Sequence, residues 1–166
     1  MWYFYRDIRK NKMNEVKKIA SFEVNHNLLA EGIYVSRIDG DITTYDLRTR
    51  VPNAGDYMDN LTMHSLEHMF ATYVRSSKIA DSVIYFGPMG CQTGFYLLVR
   101  NADNGVVLEI VKSTLRLIID HDSEIFGKSA IECGNYKNLD LGVAKAEAER
   151  YLAILNSREQ DFKYKA

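Results

Sequence analysis

Apolar and polar positions change rhythm several times along the chain, and each change marks an element. From Ala20 to His26 they alternate, with Phe22 and Val24 on one face, which predicts a short strand. Gly32–Ile38 and Asp41–Leu47 are β-rich runs flanking Asp39-Gly40, a pair that predicts a hairpin because both residues tolerate positive φ. Val51-Pro52-Asn53-Ala54-Gly55 then interrupts the pattern. Between Asp56 and Arg75 there is no Gly or Pro, and Met58, Leu61, Met69, Phe70 and Tyr73 form a stripe at helical spacing. Ser82–Phe86 and Thr93–Val99 read as strands around the tight loop Gly87-Pro88-Met89-Gly90-Cys91. A second helix is predicted over Val106–Asp120 and a third over Leu141–Leu155, with a loop from His121 to Asn138 and a polar tail over Arg158–Ala166. Strands precede most of the helices and there is no βαβ alternation. The expected class is α+β: an antiparallel sheet with helices packed on one face, the Asp56–Arg75 helix central among them.

Residues 1–17 stand apart from this pattern. They are aromatic at the start, then rich in Lys, Arg and Asn, and read as a loosely ordered extension, with Met13 an alternative start. The remainder, 18–166, reads as a single catalytic domain, and the full length of 166 residues suffices for a substantial core. Hydrophobic residues at 46% and charged residues at 26% are ordinary for a soluble globular chain. A net charge of -1 argues against nucleic acid or an anionic membrane as partner. No apolar run approaches the ~18–20 residues of a membrane span, and the N-terminal pattern is not that of a secretory signal. The only cysteines are Cys91 and Cys133, which suits a reducing compartment, so a cytoplasmic location is expected.

The predicted helix carries His64-Ser-Leu-Glu67-His68. Residues four apart stand one turn above each other, so the two imidazoles converge on one side and can share a metal ion. Glu67 points about a quarter-turn away, close enough to act as a base. The plainer alternative is a pair of surface histidines on an amphipathic helix. Cys133 lies in a polar loop beside Gly134 and can complete a His, His, Cys set with an open fourth position, the pattern of a catalytic site. A lone cysteine is otherwise most often a small buried hydrophobe. Cys91, at a loop tip between strands, gives with Glu67 two proton-transfer groups beside one Lewis acid. That set suits enolisation, in which a polarised carbonyl lets protons move between neighbouring carbons. Residue types and spacing therefore lead to a metal-dependent acid/base enzyme.

The blocks His64-Ser-Leu-Glu-His68, Pro88-Met-Gly-Cys-Gln-Thr-Gly-Phe-Tyr-Leu97 and Cys133-Gly with Asp140-Leu resemble the S-ribosylhomocysteine lyase (LuxS) family. Ser21-Phe-Glu-Val-Asn-His26, Tyr34-Val, Asp46-Leu-Arg48 and Pro52-Asn53 match as well, in the family's order, so the resemblance runs from about Ser21 to Leu155. It implies a homodimer of α+β subunits with active sites at the interface, each holding Fe(II), or zinc or cobalt in its place, on His64, His68 and Cys133. The implied carbon–sulfur lyase reaction cleaves S-ribosylhomocysteine to homocysteine and 4,5-dihydroxy-2,3-pentanedione, the autoinducer-2 precursor of quorum sensing. The carbonyl migrates along the ribose chain until sulfur leaves by β-elimination. The resemblance makes Cys91 and Glu67 the general acid/base pair, and Ser21, His26 and Arg48 match substrate-contacting positions. A thiolate with two imidazoles suits Fe(II) or Zn(II) over Mg or Ca.

One departure stands out. Many family members read Asp-x-Ser-Pro-Met-Gly-Cys, whereas this chain reads Tyr85-Phe-Gly-Pro-Met-Gly-Cys91. Tyr85 thus takes a substrate-contacting position with a phenol that is uncharged near neutral pH. Two other classes fit parts of the pattern. An inverzincin-type peptidase shares His-x-x-Glu-His, but its usual third ligand is a distant glutamate, and Gly-Pro-Met-Gly-Cys has no role there. A metal-stabilised binding domain would close its site with a fourth ligand and close-spaced cysteines, neither of which is evident.

Overall fold

A computed structural model describes residues 18–165. The expected extension over 1–17 lies outside the described residues. The elements are β1 (Gly32–Asp39), β2 (Ile42–Arg48), α1 (Asn60–Val74), β3 (Val83–Pro88), β4 (Gly94–Arg100), α2 (Asn104–Asp120) and α3 (Leu141–Ser157). The strands form one four-stranded sheet in the order β1-β2-β4-β3, antiparallel throughout. This is the α+β arrangement expected from the element order.

Alternation along the strands decides which face is covered. Ile33, Tyr45, Leu47, Phe86, Phe95, Leu97 and Val99 point to one side and are buried in a single core with α1, α2 and α3. The rings of Phe70, Phe86 and Phe95 stack in sequence at 4.3 and 5.1 Å between centroids, fastening α1 to β3 and β4. Such a pair contributes about 0.5–1.5 kcal/mol beyond area burial. The opposite face carries Thr44, Asp46, Arg48, Tyr96 and Leu98, and is only partly covered.

The hairpin forms where expected, but its two-residue loop is Gly40-Asp41, because Asp39 pairs with Ile42. Gly40 takes φ +61 and Asp41 does not share it, so positive φ is confined to the first loop position, as in a type II′ turn. The predicted strand over Ala20–His26 is not formed. Ala20–Phe22 is a 3-10 turn, and Asn25 closes two further turns through its carbonyl to Leu28 and its side chain to Asn27. Asn-rich turn chemistry outweighs the alternation, and Phe22 stays 66% exposed. The tail is also more than polar. Phe162 bridges Tyr34, Tyr164 stacks on Tyr34 at 5.1 Å, and the Tyr164 hydroxyl donates to Asp46 at 2.9 Å. Among the described residues no helix is long and apolar enough to cross a membrane.

α1 begins at an N-cap, Asp59, whose carboxylate accepts from the Thr62 backbone N–H at 2.7 Å. These hydrogen bonds hold the Asp59 carboxyl below its ordinary range. Asp59→Ala should lower stability by about 1 kcal/mol in chemical denaturation near neutral pH. A depressed carboxyl contributes above its unfolded value and loses that contribution as pH falls through the folded one, so the difference from Asp59→Ala should vanish in acid. A difference unchanged at acidic pH would show that the cap is not acting through its charge.

Candidate metal centre and active site

The helix places His64 and His68 on one side of α1, half-buried beside the apolar stripe of Met63, Leu66, Met69 and Phe70. Their rings lie 4.6 Å apart and nearly perpendicular. His64 Nδ1 donates to the Asn138 carbonyl at 2.8 Å, and His68 Nδ1 donates to the Phe126 carbonyl at 2.9 Å. A carbonyl oxygen can only accept, so each Nδ1 carries a proton and each Nε2 keeps its lone pair. Both rings are thereby held in the tautomer that ligates through Nε2.

Cys133 reaches this pair from the long connection between α2 and α3. Its Sγ lies 3.4 Å from His64 Nε2 and accepts from the Asn135 backbone N–H at 3.3 Å. One ligand atom from each of His64, His68 and Cys133 falls within 4.8 Å of the others. Backbone close to the rings requires glycine: at Gly127, φ +72, a Cβ would stand 2.7 Å from His68 Nδ1. Two imidazole nitrogens and a sulfur, with fixed tautomers and no fourth protein ligand among the described residues, fit an open site for a borderline or soft divalent ion.

A cavity of about 240 Å³ opens beside this group, lined by Asn60, Met63, His64, Glu67, Pro88 and Asn135. Glu67 therefore shares a cavity with one metal ligand and with Pro88, the last residue of β3 before the Cys91 loop. That loop is tied down at several points. Met89 N–H donates to Gly94 O, Met58 N–H donates to Gln92 O, and Gln92 takes φ +64. The tie from Met58 links the Cys91 loop to the segment leading into α1.

Cys91 is exposed, and its Sγ lies 3.0 Å from the Thr93 hydroxyl and 3.8 Å from Arg48 Nη1. Arg48 donates to Thr93 Oγ1 at 2.5 Å and to Asp46 Oδ2 at 2.6 Å. Asp46 and Arg48 form a buried ion pair, their side chains 1% and 3% exposed, with Asp46 Oδ1 and Arg48 Nε lacking partners among the described residues. Burial raises the Asp46 carboxyl, against the opposing pull of the Arg48 guanidinium. Burial likewise works against the Arg48 cation, and Asp46, together with Cys91 and Tyr164, more than offsets it.

The sequence model of S-ribosylhomocysteinase (LuxS) matches residues 19–162. The chain belongs to the LuxS family. It is 42% identical over 151 residues to the S-ribosylhomocysteine lyase of Finegoldia magna, covering 88% of this chain and 96% of that protein. It is 40% identical over 156 residues to the S-ribosylhomocysteine lyase of Borreliella afzelii, covering 90% and 99%. It is 38% identical over 152 residues to that of Clostridium acetobutylicum, covering 88% and 96%.

The remaining positions matched to the LuxS pattern fall in two further places. Ser21, His26 and Arg48 line one small cavity with Asp46, Tyr96 and Tyr164. His26 is oriented by donation from Nδ1 to the Val24 carbonyl at 2.9 Å. Tyr85 lies in a wider cleft of about 400 Å³ on the open sheet face, shared with Ser21 and Tyr96. Its ring folds along β3 over Gly87, where a Cβ would stand 2.0 Å from the phenol oxygen. Tyr85 and Gly87 are thus one structural unit: Gly87 is the space that the Tyr85 ring occupies. The cavity of Ser21 and His26 and the cavity of Glu67 share no lining residue. Residue types alone did not point to Asp46, Tyr164, Asn138 or Phe126. The last two act through backbone carbonyls, which carry no signal in the identity of the side chain.

Proposed function

We propose that this LuxS-family chain is a metal-dependent S-ribosylhomocysteine lyase, yielding homocysteine and 4,5-dihydroxy-2,3-pentanedione. The observation that carries the reading is the convergence of one ligand atom from each of His64, His68 and Cys133 beside the Glu67 cavity. These three would hold Fe(II), with zinc or cobalt able to stand in. When bound, the ion supplies Lewis-acid polarisation of a substrate oxygen. The overall reaction adds and removes no atoms, so the protein's task is to move protons. Shifting a carbonyl along the sugar requires a proton to leave one carbon and another to reach its neighbour. Elimination then takes the proton next to the carbonyl while the carbon–sulfur bond breaks and the departing sulfur gains a proton. Glu67, whose carboxylate makes no hydrogen bond among the described residues, accepts and returns protons from within its cavity. Cys91, free and at the end of a fixed loop, serves the other proton position.

Ser21, His26, Arg48 and Tyr85 are assigned to substrate, with Arg48 also setting Thr93 and Cys91 in place. We assign the working unit as a homodimer with sites at the interface. Its support is that Ser21 and His26 line a cavity that shares no lining residue with Glu67's, so a second copy can complete the set. The two free cysteines suit a cytoplasmic location.

The deciding experiment is thiol release from S-ribosylhomocysteine by protein loaded anaerobically with Fe(II) or Co(II). Homocysteine appearing in step with substrate loss is the expected result. Its absence from folded, metal-loaded protein would overturn the reading. A narrower prediction concerns Tyr85. Gly87→Ser should displace the phenol and raise KM about fivefold, the worth of one hydrogen bond of about 1 kcal/mol, with kcat little changed. In a Tyr85→Asp background the same serine should have no such effect, and equal effects in both backgrounds would separate the two residues.

A further inference from the structure

We infer that His121, together with Tyr73, is a positioning residue for the metal group, acting through Phe126 and His68. The connection from His121 to Asp140 contains no helix or strand, yet it supplies Cys133 and both carbonyls that fix the histidine tautomers. A segment of this length without regular hydrogen bonding keeps its shape only where side chains anchor it. Its far end is anchored on α1: the Asn138 amide donates to Asn60 Oδ1 at 2.5 Å, and the Asp140 N–H donates to Ser65 Oγ at 2.9 Å. Its near end, the end that touches His68, is anchored by His121.

His121 caps the C-terminus of α2 and is buried, 8% exposed. Its Nε2 lies 2.9 Å from the Glu124 carbonyl, which can only accept, so Nε2 carries a proton. Its Nδ1 lies 2.7 Å from the hydroxyl of Tyr73, and in the neutral ring it accepts the phenol proton. Both nitrogens are therefore used, one to tighten the start of the loop and one to bind it to α1. The Phe126 ring packs edge-on against both partners, with centroids 5.2 Å from Tyr73 and 4.9 Å from His121. The carbonyl of that same Phe126 receives the His68 proton, and the next residue, Gly127, lies against the His68 ring. Tyr73, His121 and Phe126 thus close a clasp that joins α1, the end of α2 and the loop at the point where the loop orients a metal ligand. Neither His121 nor Tyr73 is among the ligand atoms, so their effect on the metal passes through the position of the Phe126 carbonyl.

The inference rests on the reading of His64, His68 and Cys133 as metal ligands, and its test needs no turnover. Co(II) affinity would be measured by chelator competition, with the Co(II) ligand-field absorption and the metal-free Tm recorded alongside. His121→Phe keeps an aromatic ring and removes both hydrogen bonds. It should weaken Co(II) binding about 10–100-fold and alter the absorption envelope. Tyr73→Phe, which removes one hydroxyl from an otherwise unchanged ring, should weaken binding in the same direction. His121→Gln, whose amide can donate and accept, should recover part of the loss. Should His121→Phe fail to fold, Tyr73→Phe decides the matter. Wild-type affinity and spectrum in both aromatic variants would overturn the inference. So would an affinity loss that merely follows a loss of metal-free Tm, because that marks a structural role alone. Wild type that binds Co(II) and releases no homocysteine would remove the lyase reading and leave the clasp intact. Failure of the wild type to bind Co(II) would remove both.

Discussion

Cys91→Ala and Glu67→Gln should each lower turnover of S-ribosylhomocysteine by about 10²–10⁴-fold, the range for losing a positioned acid or base. Metal content should stay at the wild-type level in both, because neither side chain belongs to the His64, His68 and Cys133 group. The two changes remove different proton positions. Glu67 lines the cavity beside His64, whereas Cys91 sits across the β3–β4 loop, next to Thr93 and Arg48. The double variant should fall short of the product of the single losses, since groups that serve one sequence of proton transfers are not additive. Metal analysis beside thiol release checks all of this. Turnover within threefold of wild type in either variant would remove that residue from the acid/base pair, and metal loss in Glu67→Gln would make the carboxylate a ligand instead.

Arg48→Met should destabilise the fold by about 3–5 kcal/mol, the cost of leaving one member of a buried ion pair without the other. Asp46 is 1% exposed and, among the described residues, its Oδ1 lacks a partner, so losing the guanidinium leaves a poorly solvated carboxylate. The Tyr164 hydroxyl would remain as its one donor. The sign with pH follows from burial, which raises the Asp46 carboxyl. Without Arg48 that rise grows, so the folded variant holds a proton where the unfolded chain does not. Its penalty is therefore full above the raised folded value, and is relieved as pH falls toward the ordinary carboxylate value. Urea denaturation across that interval should show the variant approaching wild type in mild acid. The paired replacement Asp46→Leu with Arg48→Met should regain much of the loss, because removing both charges leaves no buried ion. A single-variant loss below about 1 kcal/mol would mean that the site relaxes around a lone carboxyl.

Helix α1 was legible because a stripe at 3.6-residue spacing without Gly or Pro is a local signal, though the helix starts at Asn60 behind the Asp59 cap and not at Asp56, which leaves Met58 outside it. The hairpin was legible for the same reason, though its loop fell one residue later than Asp39-Gly40 suggested, since strand register is settled by pairing and not by the turn alone. Ala20–His26 misled because alternation over seven residues is weak against Asn25 and its turns when no strand is paired with it. Tail residues Phe162 and Tyr164 carried no periodic signal, yet they return to Tyr34 and Asp46.

Local sequence carries the available chemistry: two imidazoles one helical turn apart, a glutamate beside them, two thiols in loops, and Tyr85 ahead of the Gly87-Pro88 turn. Those features depend on neighbours within a turn or a motif, so they survive without coordinates. Which nitrogen each imidazole presents is set by long-range folding, because the carbonyls of Phe126 and Asn138 that settle it come from 58 and 74 residues away. The tertiary structure also decided that Gly87 houses the Tyr85 ring, that Arg48 is buried against Asp46, and that His121 closes on Tyr73. Hydrogen bonds and packing between distant segments are set by how elements meet, and the order of residues along one segment does not encode that meeting.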